Sequence, residues 1–199
     1  MEKKVFGYPK YDDNGEMILT TYENEYRDML MDIRVYKLEK NQTKIFISDD
    51  EEIAVLLLNG KIEINVDGIE KIVSRKSVFL EGPYAGHVSH SKIISAKALE
   101  ETEVLVQKTK NKVTFKSKLY TPEDAPWKYS SQGWYGNVAN RRVNTIIDHD
   151  IEPKSNMVLG EVLNDPGNWS GYLPHRHPQP ECYLSLIHIS EPTRQEAIS

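Results

Sequence analysis

The sequence predicts an all-β protein made of short antiparallel strands, and three observations support this fold class. Apolar and polar residues alternate over many short segments, which is the two-residue period of a strand. The dipeptides Asn59-Gly60 and Asp67-Gly68 follow such segments, and these dipeptides favour two-residue hairpin turns. The 199 residues include 11 Gly and 10 Pro, and no long segment has the period of an amphipathic helix. We therefore expect an antiparallel sandwich or a small barrel.

The first half of the chain contains most of the predicted strands. Residues 1–27 are polar and aromatic and include a predicted turn at 12–15. Residues 53–58 form a continuous apolar run, which is typical of a buried strand, whereas residues 62–66 alternate. The two dipeptides named above are predicted to form the turns after these two segments. The other expected strands cover residues 29–38, 44–48, 69–73, 77–80, 92–96 and 104–107.

A charged and polar run, residues 108–112, marks a predicted boundary between two β modules. A basic hairpin turn inside a single domain is the alternative interpretation of this run. After it, residues 121–126 form a predicted loop, and further strands are expected over 142–147 and 157–163. We therefore predict a first module over residues 1–112 and a second over residues 113–183.

The last sixteen residues, 184–199, resemble the translation of a transposase-end adapter used in sequencing libraries. The match is continuous over residues 184–194, and a natural amphipathic tail is the alternative. We therefore treat 184–199 as an artefactual tail and leave it out of the fold prediction. On this interpretation the natural protein continues beyond Tyr183, so the second module is expected to be incomplete.

The composition argues against several classes of protein. The formal net charge is -5, whereas nucleic-acid binding needs a basic patch. The longest apolar run, residues 53–58, is too short to span a bilayer, and the first residues lack an apolar signal segment. The single cysteine, Cys182, excludes an internal disulfide framework and fits a reducing compartment. We therefore expect a cytoplasmic protein without nucleic-acid or membrane partners.

Two histidines and a glutamate near the end of the second module form a candidate metal site. His175, His177 and Glu181 share the parity that places side chains on one side of an extended chain. Two imidazoles and a carboxylate are a usual ligand set for zinc, manganese or iron. A surface histidine pair is the alternative. In the first module, His87 and His90 have the wrong parity to share a face, so no metal site is expected there.

The His-x-His-x-x-x-Glu motif at 175–181 resembles the first metal motif of the cupin superfamily. The longer pattern from Ser155 to Glu181 resembles the 5-deoxy-glucuronate isomerases of myo-inositol catabolism. It differs from the pattern of that family at Gly171 and Leu173, where a serine and a proline are usual. The resemblance implies a bicupin, with two jelly-roll β-barrels, whose second cupin binds a divalent metal. It also implies a fourth, later histidine ligand, which His188 does not supply because it lies in the adapter-like tail.

The resemblance also implies an aldose–ketose isomerase that acts on 5-deoxy-glucuronate, with zinc as the expected metal. Such a reaction passes through an enediol and needs a general base, for which Glu161 is the candidate. A solvated strand carboxylate is the alternative for Glu161. Arg141 and Arg142 are candidates for binding the carboxylate of the sugar acid, with ordinary surface roles as the alternative. A homo-oligomer is left open.

Three other functions are compatible with the same residues. One is the related ketol-isomerase of pectin breakdown, which acts on 4-deoxy-L-threo-5-hexosulose-uronate. The second is a metal-dependent cupin oxygenase with the same two-histidine, one-carboxylate face. The third is a sugar-binding cupin without catalysis. For the chain of 199 residues itself we expect no useful activity, because the second module and its ligand set are predicted to be incomplete.

Overall fold

A computed structural model of the chain describes residues 7–171 and 178–186, and it confirms the predicted all-β class. Within these ranges the regular structure consists of twelve strands and one short 3-10 helix, Arg27–Met29. The described part of the chain has no helix long and apolar enough to cross a membrane. The strands are β1 (Glu16–Thr20), β2 (Met31–Leu38), β3 (Thr43–Phe46), β4 (Glu51–Val66), β5 (Ile69–Arg75), β6 (Ala85–Val88), β7 (Ile94–Ala98), β8 (Thr102–Lys110), β9 (Lys118–Tyr120), β10 (Lys128–Ser130), β11 (Arg141–Ile147) and β12 (Leu159–Leu163).

The first nine strands form one unit in which β4 belongs to two antiparallel sheets. The first half of β4 pairs with β8 and β6 in a sheet of order β1-β2-β8-β4-β6-β9. The second half of β4 pairs with β5 and β7 in a sheet of order β3-β7-β4-β5. The two sheets therefore share one continuous strand of 16 residues.

The predicted hairpin at Asn59-Gly60 is wrong, because β4 continues through both residues. Gly60 has a φ of +99°, and the pairing with β8 shifts register between Leu57 and Asn59. A Cβ added at Gly60 would lie 2.6 Å from the carbonyl oxygen of Glu101, so the glycine permits a close backbone approach where the strand changes sheets. The turn predicted at Asp67-Gly68 is confirmed, since both residues have positive φ and connect β4 to β5.

The apolar run over residues 53–58 is buried on both faces, which explains why it lacks alternation. The side chains of Ile53, Val55 and Leu57 lie in a cluster between the two sheets of the first unit. The intervening side chains, those of Ala54, Leu56 and Leu58, lie in a second cluster on the opposite face of the sheet. The continuous run therefore reflects a strand between two cores.

The second apolar cluster joins the first unit to a small sheet formed by the last three strands. These strands pair antiparallel in the order β10-β11-β12. Ile146, Ile147, Met157 and Leu159 of this second unit are buried in the cluster that also contains Leu56. Leu184 and Leu186, the first apolar residues of the adapter-like segment, are half-buried against the same cluster. The structure thus gives contacts to two residues that the sequence interpretation leaves outside the fold.

The prediction made from the sequence differs from the structure in three respects. The expected strand over 77–80 is a turn, in which the carbonyl oxygen of Ser77 accepts hydrogen bonds from the amides of Leu80 and Glu81. The short strand β9 follows the boundary predicted after residue 112 but pairs with β6 of the first unit. The sequence does not predict β1, β6, β9 and β10, because these short segments show no clear alternation of apolar and polar residues.

Candidate functional site

The predicted metal ligands fall only in part within the described residues. His175 and His177 lie outside them, whereas Glu181 is described and exposed. The hydroxyl of Tyr183 donates a hydrogen bond of 3.3 Å to Oε2 of Glu181. Among residues 7–171 and 178–186, no group of three or more His, Cys, Asp or Glu side chains could hold a metal ion. The ligand set of His175, His177 and Glu181 therefore stays a prediction.

Glu161, the candidate general base, lies on β12 and faces the first unit. Its carboxylate forms a two-pronged ion pair with Arg75, with Nη1–Oε1 and Nη2–Oε2 distances of 2.6 and 2.8 Å. Nδ2 of Asn144 donates to Oε2 of Glu161 at 3.0 Å, and Oδ1 of Asn144 accepts from the Glu161 amide at 3.0 Å. Both carboxylate oxygens thus have partners, as in a structural ion pair, and the role of general base stays a prediction.

Arg75 is the partner that the sequence did not predict. Its side chain is 0% exposed, and it also donates to the carbonyl oxygens of Leu57 (3.0 Å) and Glu81 (2.9 Å). A signal for this burial was present in the sequence, because Arg75 has the same strand parity as Val73, whose side chain is in the core. An arginine on the inward side of a strand needs a buried carboxylate or carbonyl partner.

Arg141 and Arg142, the candidates for binding a substrate carboxylate, are half-buried neighbours on β11. Nη1 of Arg141 donates to Oγ of Ser131 at 3.4 Å and to the carbonyl oxygen of Ala139 at 3.3 Å. Successive residues of a strand point to opposite faces of the sheet. The structure therefore does not bring the two guanidinium groups to one face, and a single carboxylate would meet only one of them from the sheet. Their substrate role stays a prediction.

A second buried polar contact joins the two units near the start of β4. Oε2 of Glu52 lies 3.1 Å from Nε2 of His87 and accepts a 2.8 Å hydrogen bond from Oγ of Ser155. Oε1 of Glu52 accepts a 2.7 Å hydrogen bond from the amide of Asn156. The His87 ring packs against Phe115, with ring centroids 4.6 Å apart. The spacing of residues in the sequence does not reveal the contact between Glu52 and His87, because the two residues lie on different strands. In the pairing of β4 with β6, Ala54 lies opposite His87, and Glu52 is two residues from Ala54 along β4.

A cavity of about 450 Å³ lies where β5, β9 and the loop before β12 meet. Its lining includes the side chains of Lys71, Tyr120 and Glu152. Burial, followed by the charges of Glu152, Asp124 and Asp148, raises the pKa of Tyr120 to about 12. Lys71 and Glu152 therefore place opposite charges near the phenol of Tyr120. The residues that line the cavity include no set of ligands suited to a metal.

These features define a class of all-β proteins in which an antiparallel double-sheet unit carries a second antiparallel sheet on its outer face. The chain belongs to the KduI/IolB family, whose model matches residues 7–189.

Two relatives are named 5-deoxy-glucuronate isomerase. The protein from Geobacillus kaustophilus is 30% identical over 173 residues, covering 84% of this chain and 59% of the relative. The protein from Geobacillus thermodenitrificans is 29% identical over 185 residues, covering 90% of this chain and 64% of the relative. The chain therefore spans less than two thirds of the length of these curated relatives.

Two solved structures are similar in fold. An IolB-like protein from Salmonella typhimurium has a TM-score of 0.58 and 16% identity, covering 69% of this chain and 52% of that one. A putative glyoxylate induced protein from Pseudomonas aeruginosa has a TM-score of 0.54 and 7% identity, covering 78% of this chain and 59% of that one. At these identities the likeness concerns the fold alone.

Proposed function

We propose that the full-length protein is a metal-dependent aldose–ketose isomerase that converts 5-deoxy-glucuronate into 5-dehydro-2-deoxy-gluconate in inositol catabolism. The observation that carries this proposal is membership of the KduI/IolB family, together with 30% identity to a relative named 5-deoxy-glucuronate isomerase. The double-sheet fold of the first unit is compatible with a cupin. A bicupin, with the last three strands belonging to a second barrel, is part of the same proposal.

The donor set of the candidate metal site fits a divalent ion. His175, His177 and Glu181 would supply two imidazole nitrogens and a carboxylate, which suit zinc, manganese or iron. When bound, the ion would supply a Lewis acid that stabilises an enediolate. Glu181 already has a neighbouring donor in the hydroxyl of Tyr183, which would orient the carboxylate through Oε2. In the proposal, a histidine later in the full-length protein completes the ligand set.

The remaining roles belong to side chains on β11 and β12. Arg141 is better suited than a buried arginine to bind the substrate carboxylate, because its hydrogen bonds of 3.3 and 3.4 Å are long and replaceable. For Glu161 to accept a proton from a sugar carbon, it would have to leave the Arg75 guanidinium or share it. The proposed role of Glu161 therefore requires this ion pair to rearrange during turnover.

The experiment is an isomerase assay on the full-length protein with 5-deoxy-glucuronate, after removal of metal and addition of Zn²⁺, Mn²⁺ or Fe²⁺ separately. We expect metal to restore turnover in the parent protein, and His175→Ala and His177→Ala to abolish it. His149→Ala is the matched control, because His149 is exposed in a turn of the second unit. Turnover that survives both ligand substitutions would contradict the proposed metal site.

The same assay separates the alternative functions. Faster turnover of 4-deoxy-L-threo-5-hexosulose-uronate would favour the ketol-isomerase of pectin breakdown. Oxygen consumption linked to product would favour a cupin oxygenase, and saturable sugar binding without turnover would favour a binding protein. We further propose that the 199-residue chain is inactive in this assay, since it covers 59% and 64% of two relatives.

A further inference from the structure

Two buried charged residues of the first unit contact strand β12 and the segment that leads into it. Glu52 and Arg75 have exposed side-chain fractions of 0% each. Neither has a role in the proposed reaction. Charged side chains are rarely buried unless they are paired, so the partners of these two residues indicate what they do.

Glu52 holds the segment before β12. Its two carboxylate oxygens accept hydrogen bonds from the hydroxyl of Ser155 and from the backbone amide of Asn156, at 2.8 and 2.7 Å. His87 lies against the same carboxylate at 3.1 Å on the side of the first unit. Because one of these bonds is to a backbone amide, Glu52 fixes the path of the main chain and not merely a side chain.

Arg75 holds β12 itself. It binds both oxygens of Glu161 and, on its other side, the carbonyl oxygens of Leu57 and Glu81 in the first unit. A planar guanidinium that makes two parallel bonds to a carboxylate fixes both distance and direction. Between the two contacts, Met157 and Leu159 are buried in the second apolar cluster, 2% and 8% exposed.

We propose that Glu52 and Arg75 are positioning residues that fix the register of β12 against the first unit. A purely apolar contact would allow the sheet that contains β12 to slide over the first unit, because burial of apolar surface is non-directional. The buried charges specify one placement, since any shift would leave a carboxylate or a guanidinium without partners. The chain after β12 leads to the predicted ligands at 175–181, so the first unit sets where that segment begins. Only this last step rests on the proposed function.

Hydrogen exchange of the 199-residue chain, resolved by peptide, tests the proposal without metal or substrate. In Arg75→Met we expect exchange of β12 amides to rise by about a hundredfold or more, while exchange of β4 and β8 stays within about twofold of the parent. Arg75→Lys keeps the charge but lacks the two parallel N–H donors of the guanidinium, so we expect an intermediate rise in the exchange of β12 amides. Ser155→Ala removes one bond to Glu52, and a rise of about tenfold or less is expected in the same region.

Arg34→Met is the matched control. Arg34 also makes a two-pronged pair, with Asp32 at 2.7 Å for both bonds, but its partners lie within the first unit. Exchange of β12 should not change in this variant. Should Arg75→Met fail to fold, Glu161→Gln breaks the same pair from the other side while keeping the side-chain shape. Unchanged β12 exchange in both variants, or equal acceleration in β4, β8 and β12, would overturn the proposal.

Zinc titration of the same folded variants gives a second readout. We expect Arg75→Met to bind Zn²⁺ at least about tenfold more weakly than Arg34→Met, as is usual when groups that orient ligands are lost. Faster β12 exchange with unchanged zinc affinity would overturn the link to the ligand segment. An absence of zinc binding in the parent chain as well would count against the metal site in this chain, while the exchange result would still decide the positioning role.

Discussion

Nε2 of His87 lies 3.1 Å from Oε2 of Glu52, and the two side chains are 1% and 0% exposed. His87 comes from β6 and Glu52 from β4, so the contact crosses paired strands of one sheet. The face on which they meet is covered by Phe115 and by the segment before β12. The pair therefore belongs to the polar part of the contact between the two units.

Removal of the Glu52 carboxylate should strongly destabilise the protein. In Glu52→Ala, the buried His87 ring and the partly buried Ser155 hydroxyl and Asn156 amide lose their acceptor. Leaving a buried hydrogen-bond donor without an acceptor costs about 1–3 kcal/mol per group, and urea unfolding would measure the summed loss. Glu63→Ala is the control, since Glu63 makes only an exposed 4.0 Å contact with Lys97 and should cost less than about 1 kcal/mol. Equal losses in the two variants would contradict this account.

Stability should fall at alkaline pH through Tyr120. Burial, then the charges of Glu152, Asp124 and Asp148, raises the pKa of this phenol from 10.0 to about 12. Because the folded pKa is the higher one, the stabilisation is fully present below pH 10 and is lost as the pH rises towards about 12. The loss should be smaller than the roughly 2–3 kcal/mol that the full shift corresponds to, because solvent screens part of the interaction with the carboxylates. Urea unfolding of the parent and of Tyr120→Phe measures it: the variant should show a smaller decline, and parallel curves would show that other groups are responsible.

Gly60→Ala should destabilise the protein more than Gly68→Ala. Both glycines have positive φ, +99° and +93°, so both substitutions introduce backbone strain of about 1 kcal/mol. At Gly60 the new Cβ would also meet the Glu101 carbonyl oxygen at 2.6 Å, whereas at Gly68 it meets nothing within 4 Å. The thermal unfolding temperature of Gly60→Ala should therefore be well below that of Gly68→Ala. The opposite order would mean that β4 can move away from β8 at little cost.

Glu181→Gln in the full-length protein should weaken zinc binding. Loss of a group that only orients a ligand typically costs about 10–100-fold in metal affinity, so loss of a ligand should cost more. Glu63→Gln is the control and should leave zinc affinity unchanged, because Glu63 is an exposed carboxylate of the first unit that contacts Lys97 at 4.0 Å. Competition with a chromogenic chelator measures both. If the two variants lose equal affinity, Glu181 has no special place in the metal site.

Local patterns in the sequence predicted the strands that are long enough to show a period. β2, β5, β8 and β11 lie close to their expected ranges, and the apolar run within β4 is buried as predicted. The error at Asn59-Gly60 has a physical cause, because a glycine with positive φ serves a bulge within a strand as well as a turn. Sequence spacing contains no information on which of these the surrounding strands require.

The partners of the buried charges could not be predicted from the sequence for a different reason. Arg75 and Glu161 are 86 residues apart, and Glu52 and Ser155 are 103 apart, so no local pattern connects them. The sequence offers Glu161 only as a candidate carboxylate, and the structure adds its buried cation, Arg75. The ligand motif at 175–181, by contrast, is local, so a sequence pattern is enough to propose it, and the ligand set stays a prediction.

The sharing of strand β4 between two sheets affects how the first unit can unfold. Its 16 residues are hydrogen-bonded to β6 and β8 in one half and to β5 and β7 in the other. The two sheets of the first unit therefore cannot separate as rigid bodies, because the same covalent strand forms part of each. Loss of the neighbouring strands in either sheet would leave the backbone groups of one half of β4 unpaired. We expect the first unit to melt in one concerted transition.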